Sequence, residues 1–163
     1  GARSLFELWG ARQQPWVAQG LERTHEVLEE LARLLARVHR LGLIHGDYTL
    51  RNVLYASRFP AERYWITDLE SGWPLAASEH EKQHGQLHDQ LKMVHSLARS
   101  GFCKKKVLSF LQSYSLHFNG RQISIAEAEH ALRVCLGQRG RGAEATSRLL
   151  LELEEHTEEW GRG

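Results

Sequence analysis

The sequence contains no apolar run approaching the roughly 18 residues that a membrane-crossing helix needs, so a helical membrane span is not expected. Cysteine is scarce. Cys103 and Cys135 each sit in an apolar helical pattern, which argues against a disulfide framework and makes a reducing compartment the expectation. An excess of charge of one sign is lacking too: 21 Lys and Arg against 20 Asp and Glu give a formal net charge of +1, and no global field for nucleic acid or a membrane surface. The opening Gly1-Ala2-Arg3-Ser4-Leu5 has no initiator Met and no signal-peptide pattern, as in a fragment or a processed product. Lysine is sparse, 5 against 16 Arg, and none occurs before Lys82. What remains is an ordinary soluble, globular balance, 42% hydrophobic and 25% charged, in 163 residues that suit one compact domain or one lobe of a larger one.

Hydrophobic spacing organises the chain. Residues 1–20 read as a short helix and a loop, with Ser4 as N-cap and Gly10 and Pro15 as breakers. From Leu21 to Leu41 the pattern is strongly helical: Leu28, Leu31, Leu35 and Val38 recur at three- and four-residue steps, Leu34 and Leu41 widen the stripe, and Gly42 stands where a helix ends. Val53-Leu54-Tyr55 and Tyr64-Trp65-Ile66-Thr67 read as two short strands of a hairpin around Pro60. Helical stripes return at Leu87, Leu91, Val94 and Ala98, and at Val107, Leu108, Leu111 and Tyr114. Ser124-Ile125-Ala126-Glu127 fits a capping box opening a further helix, and Leu149, Leu150, Leu153 and Trp160 mark a last one beyond a glycine- and arginine-rich link at 138–142. The fold expected is mainly α with a short β-hairpin.

The segment after Gly42 carries chemistry. His45-x-Asp47-x-x-x-x-Asn52 is followed by a strand, a turn, a second strand and Asp68. Asp47 and Asn52 lie on a loop rather than a helix, so one side chain can face an acceptor while the other turns toward a metal. Asp68, from the neighbouring strand end, can approach the same point. Oxygen donors on adjacent hairpin ends suit a hard cation such as Mg²⁺, and phosphoryl transfer asks of a protein little more than a carboxylate near the accepting hydroxyl and ligands for that cation. Three other features have bland readings that outweigh the chemical ones. His80, His84 and His88 share a helical spacing that transition metals favour, but they fall in a polar segment that Gly85 weakens as a helix. Lys104-Lys105-Lys106 reads as a solvated face, and Glu70 as a solvated acid.

This constellation resembles the protein-kinase superfamily. His45-Gly46-Asp47 is similar to its H-x-D catalytic loop, Asn52 falls at its metal-binding Asn, and Ile66-Thr67-Asp68-Leu69 is similar to the strand and Asp that open its D-F-G-type motif. The resemblance implies that Asp47 is the catalytic base, that Asn52 and Asp68 are Mg²⁺ ligands, and that His45 and Asp89 support the loop. The glycine after His45, and Glu70 in place of the motif glycine, look more like the small-molecule and atypical kinases. Among these the sequence most resembles the lipopolysaccharide kinase (Kdo/WaaP) family; it also resembles aminoglycoside and choline kinases, and the Bud32 type through Tyr48-Thr49.

On that resemblance the chain is the C-terminal lobe of a kinase-like fold with the N-terminal ATP lobe missing. The cofactors are ATP and Mg²⁺, but no glycine-rich phosphate loop and no strand Lys precede His45, so the ATP-binding residues are unknown. The divisions expected are 1–20 (hinge and first helix), 21–72 (long helix, catalytic loop and metal-binding hairpin) and 73–163 (helical subdomain). Function is expected to be transfer of the ATP γ-phosphate to a hydroxyl acceptor, a lipopolysaccharide sugar or other glycolipid foremost. Turnover by this chain alone is expected to be negligible. The alternative is a non-catalytic kinase-like remnant or binding module. The expected location is cytoplasmic, with peripheral contact at the inner membrane and no nucleic-acid partner.

Overall fold

The computed structural model describes residues 2–10, 21–56, 64–69, 73–74 and 78–137. Glu70, the link at 138–142 and the helix expected around Leu149 to Trp160 lie outside them. The order of elements is β1 (Arg3–Ser4), α1 (Leu5–Gly10), α2 (Leu21–Arg40), β2 (Leu43–Ile44), a 3₁₀ turn over Leu50–Asn52, β3 (Val53–Tyr55), β4 (Tyr64–Ile66), β5 (Trp73–Pro74), α3 (Glu79–Arg99), α4 (Lys104–Asn119) and α5 (Ile125–Gly137).

Helix α2 is the spine. It is rich in Leu, Ala, Glu and Arg, all good helix formers, and its apolar stripe is sealed: Leu28, Leu31 and Leu35 are fully buried. Each such burial contributes roughly 1.5–3 kcal/mol. The stripe packs most extensively against α4, whose Val107, Phe110, Leu111 and Tyr114 are buried in the same core. Leu34 and Val38 extend the buried face as expected, but Leu41 does not. It falls in the turn after the last helical residue and is 68% exposed.

The expected hairpin is present and has gained a third strand. β3 pairs antiparallel with β4 in the register Val53↔Ile66, Leu54↔Trp65 and Tyr55↔Tyr64. β1 adds on the other side of β3 through Arg3↔Tyr55 and Ser4↔Leu54. Ser4 also caps α1 reciprocally, its hydroxyl accepting from the Glu7 N–H and its own N–H donating to the Glu7 carboxylate. A second small ladder pairs β2 with β5.

The expectation of a weak helix around Gly85 is corrected: α3 runs unbroken from Glu79 to Arg99. A capping box between Ser78 and Glu81 starts it. Gly85 is tolerated because of a close approach: a Cβ built there would lie 2.7 Å from Cγ1 of Ile44. Tertiary packing, not local propensity, selects glycine at this position. The α5 start follows the sequence, with the Ser124 hydroxyl accepting from the Glu127 N–H and the Glu127 carboxylate accepting from the Ser124 N–H. Of the three-lysine run, Lys104 is paired with Glu129 at 2.9 Å and Lys105 is exposed. No helix among the described residues is long and apolar enough to cross a membrane.

Candidate active site

The loop from His45 to Asn52 lies where β2, α2, α3 and the hairpin meet. Beneath it, the fully buried Asp89 of α3 accepts from the backbone N–H of His45 at 2.7 Å and of Gly46 at 2.8 Å. Gly46 adopts φ 84, a left-handed conformation that glycine enters at little cost. Asp89 also accepts from Nε2–H of the buried His39 at 3.0 Å, and the other ring nitrogen of His39 meets the Tyr114 hydroxyl at 2.7 Å. A buried carboxylate is costly unless its oxygens are satisfied. Here three donors from α2 and the loop satisfy it, so one side chain ties three segments together.

His45, also fully buried, links the loop to the hairpin. Its Nδ1 accepts from the Asp47 N–H at 3.3 Å, and its Nε2–H donates to the Thr67 carbonyl at 2.9 Å. These partners assign a neutral imidazole protonated on Nε2. The Thr67 N–H donates in turn to the Asn52 carbonyl at 2.9 Å. The ends of β3 and β4 are thus fixed side by side, and Asp68 is the next residue on. Tyr48 packs edge-on to His45 and donates its hydroxyl to the Leu31 carbonyl of α2 at 2.7 Å. Burial, then the nearby Asp89 charge, pushes the Tyr48 phenol well above its usual range. On α3, the Ser96 hydroxyl accepts from the Leu50 N–H and His88 donates Nε2–H to the Gly46 carbonyl.

The outward side of the loop is different. The Asp47 carboxylate is 37% exposed. It accepts from Lys92 Nζ at 2.9 Å on Oδ1 and from Asn52 Nδ2 at 3.1 Å on Oδ2. Burial raises the Asp47 carboxyl, but the hydrogen bond and charge of Lys92, helped by the Asn52 amide, overcome this and hold it below the ordinary carboxylate range. Asn52 Nδ2 donates a second time, to the Asp47 carbonyl at 2.9 Å, which leaves the amide oxygen as the end able to ligate a cation. Asp68 is exposed at φ 60, the only non-glycine residue with positive φ among those described. Such a conformation is uncommon outside glycine, though Asp tolerates it better than most.

The sequence-derived residues fall into two groups. Asp47 and Asn52 touch, and Asp68 follows Thr67, whose N–H is bonded to the Asn52 carbonyl just past the end of β4. His45 and Asp89 are buried and hold the loop. His80 and His84 are exposed and His88 is spent on the Gly46 carbonyl, and among the described residues no three His, Cys, Asp or Glu side chains form a metal-binding group. Sequence reasoning missed His39, Tyr114, Lys92 and Ser96. The available signal was polarity in apolar stripes: His39 continues the Leu28–Ala32–Leu35 face of α2, and Lys92 and Ser96 interrupt Leu91, Val94 and Leu97 on α3.

Comparison with known proteins follows the same lines. The family model described as lipopolysaccharide kinase (Kdo/WaaP) matches residues 1–114. No curated protein matches. A solved structure, WaaP in complex with acyl carrier protein, superposes with a TM-score of 0.65 at 19% sequence identity, covering 90% of this chain and 58% of that one. At that identity the likeness shows the fold, which is mainly helical with a small antiparallel sheet and corresponds to part of a kinase-like fold. The chain spans little more than half the length of that structure.

Proposed function

We propose a kinase's acceptor- and metal-binding lobe, from the premise that the chain belongs to the lipopolysaccharide kinase (Kdo/WaaP) family. The reaction is transfer of the ATP γ-phosphate to a hydroxyl, with a lipopolysaccharide sugar as acceptor and the inner-membrane surface as the place where a soluble lobe meets it. The observation that carries this is the Asp47–Asn52 contact: a half-exposed carboxylate kept ionised, with an amide oxygen left for a cation beside it.

Asp47 orients the acceptor hydroxyl and takes its proton as the bond to phosphorus forms. A carboxylate is a weak base toward an alcohol, so orientation is its larger contribution. That suits a loose phosphoryl-transfer transition state, in which little proton removal is needed early. Asn52 and Asp68 would hold Mg²⁺; two hard oxygen donors on adjoining strand ends fit that ion. Bound there, Mg²⁺ supplies charge neutralisation on the phosphates. His45 and Asp89 position the loop and touch neither reactant.

The test is Mg²⁺-dependent transfer from ATP to a lipopolysaccharide core acceptor by the natural protein carrying this chain. Asp47→Asn and Asp68→Asn should each lower the rate by about 100-fold or more with unchanged thermal unfolding. Equal rates in all three proteins would remove the enzymatic reading and leave a non-catalytic module.

A further inference from the structure

Asp47 meets a cation that its own loop does not supply. Between Asp47 and Asn52 the loop offers one basic side chain, Arg51, and its guanidinium lies 4.6 Å from the centre of the Phe6 ring. Tyr48 and Leu50 are buried. The charge beside Asp47 comes instead from α3, 45 residues on, where Lys92 places Nζ 2.9 Å from Oδ1. The Lys92 side chain is 31% exposed and lines, with Asp47 and Thr49, a recess of about 270 Å³. An ammonium carries three N–H donors. Asp47 accepts from one of them, and among the described residues no other acceptor engages Lys92. An ion pair this exposed contributes at most about 1 kcal/mol to folding, so stability does not account for a lysine set against the reacting carboxylate.

We propose that Lys92 is a catalytic residue whose charge passes from Asp47 to the transferred phosphoryl group. Before transfer, the ammonium is matched by the Asp47 carboxylate. As the acceptor oxygen bonds to the γ-phosphorus and the bond from phosphorus to the ADP oxygen breaks, the hydroxyl proton goes to Asp47. The carboxyl is then neutral. Lys92 loses its counter-ion just as the phosphoryl oxygens arrive beside it. A hydroxyl bonded to an Asp47 oxygen lies about 3 Å from it, which puts the group it receives within reach of Nζ. Lys92 keeps its proton throughout and donates an N–H to a phosphoryl oxygen. Lysine suits this role because a compact charge with three rotatable donors on a flexible stem can hold one anion and turn to the next. This deepens the kinase reading and rests on it.

The experiment compares the natural protein carrying this chain with its Lys92→Gln, Lys92→Arg and Asp47→Asn variants. Lys92→Gln should lower kcat by about 100-fold, as loss of one donor to developing charge does, with KM for ATP within about threefold of the parent's. Lys92→Arg keeps the charge and should recover about tenfold of that loss. Equilibrium binding of MgADP with fluoroaluminate, a planar mimic of the phosphoryl group in flight, should weaken by about tenfold or more in Lys92→Gln while ATP binding is unchanged. The same weakening should appear when Lys92→Gln is added to Asp47→Asn, where a lysine that acts only through the Asp47 charge has none left to act on. No further weakening in that background, or an unchanged kcat in Lys92→Gln, overturns the role and leaves the kinase reading standing. Absence of transfer in the parent removes the kinase reading and this role with it.

Discussion

The loop from His45 to Asn52 touches the protein and the solvent in contrasting ways. Inward, His45, Asp89 and His39 are buried and their polar groups are hydrogen-bonded, mostly to other elements. Outward, Asp47, Lys92 and Asp68 are partly or wholly exposed, and Asp68 carries a strained backbone. The inner face is built for rigidity. The outer face keeps its charged groups accessible to solvent.

The sharpest way to break this contrast is to cut the inner brace. Asp89→Ala removes the acceptor of two loop N–H groups and of His39, and should cost about 3–5 kcal/mol in urea unfolding, as loss of one partner from a buried charged network does. A cost under about 1 kcal/mol, an ordinary substitution's effect, would mean that the inner face is not what holds the loop. Next, Tyr48→Phe deletes only the hydroxyl bonded to the Leu31 carbonyl and should lower stability by about 0.5–1.5 kcal/mol in thermal melting. The smallest stability effect belongs to the outer face: Lys92→Gln should change it by less than about 0.5 kcal/mol.

Lys92→Gln should nonetheless move the Asp47 titration upward, because burial then acts without the cation that opposes it. The sign in the unaltered protein follows from its depressed carboxyl: the stabilisation is present above the unfolded value of about 3.9 and is lost as pH falls through the folded value. Carboxyl-carbon NMR of the variant should therefore find Asp47 protonating at higher pH. An unshifted titration would show that Lys92 does not set the charge of that face.

How much of this could be read in the sequence depended on distance along the chain. The α2 stripe, the hairpin, the Ser124 cap and the His45–Asn52 spacing are local patterns, and each was visible. Asp89 could be singled out only through the resemblance to kinases, because α3 also carries Glu79 and Glu81 and many polar residues. His39 and Tyr114, 75 residues apart, meet only after α2 and α4 pack, and neither has a local mark of that partnership. Lys92 reaches Asp47 across 45 residues by the same route. β1 was missed because two residues are too few to show alternation. Helix α3 was underrated because glycine propensity spoke against it locally, and the close packing of Ile44 was not yet in view.

That packing reaches beyond the helix. Only a hydrogen fits between the Gly85 Cα and Ile44, the residue immediately before the loop. The height at which Ile44 rides therefore sets the level from which His45 starts, and α3 acts as a shim under the loop. A single methyl group added at Gly85, two turns before Lys92 on the same helix, would tilt the platform while leaving every reactive group in the sequence unaltered.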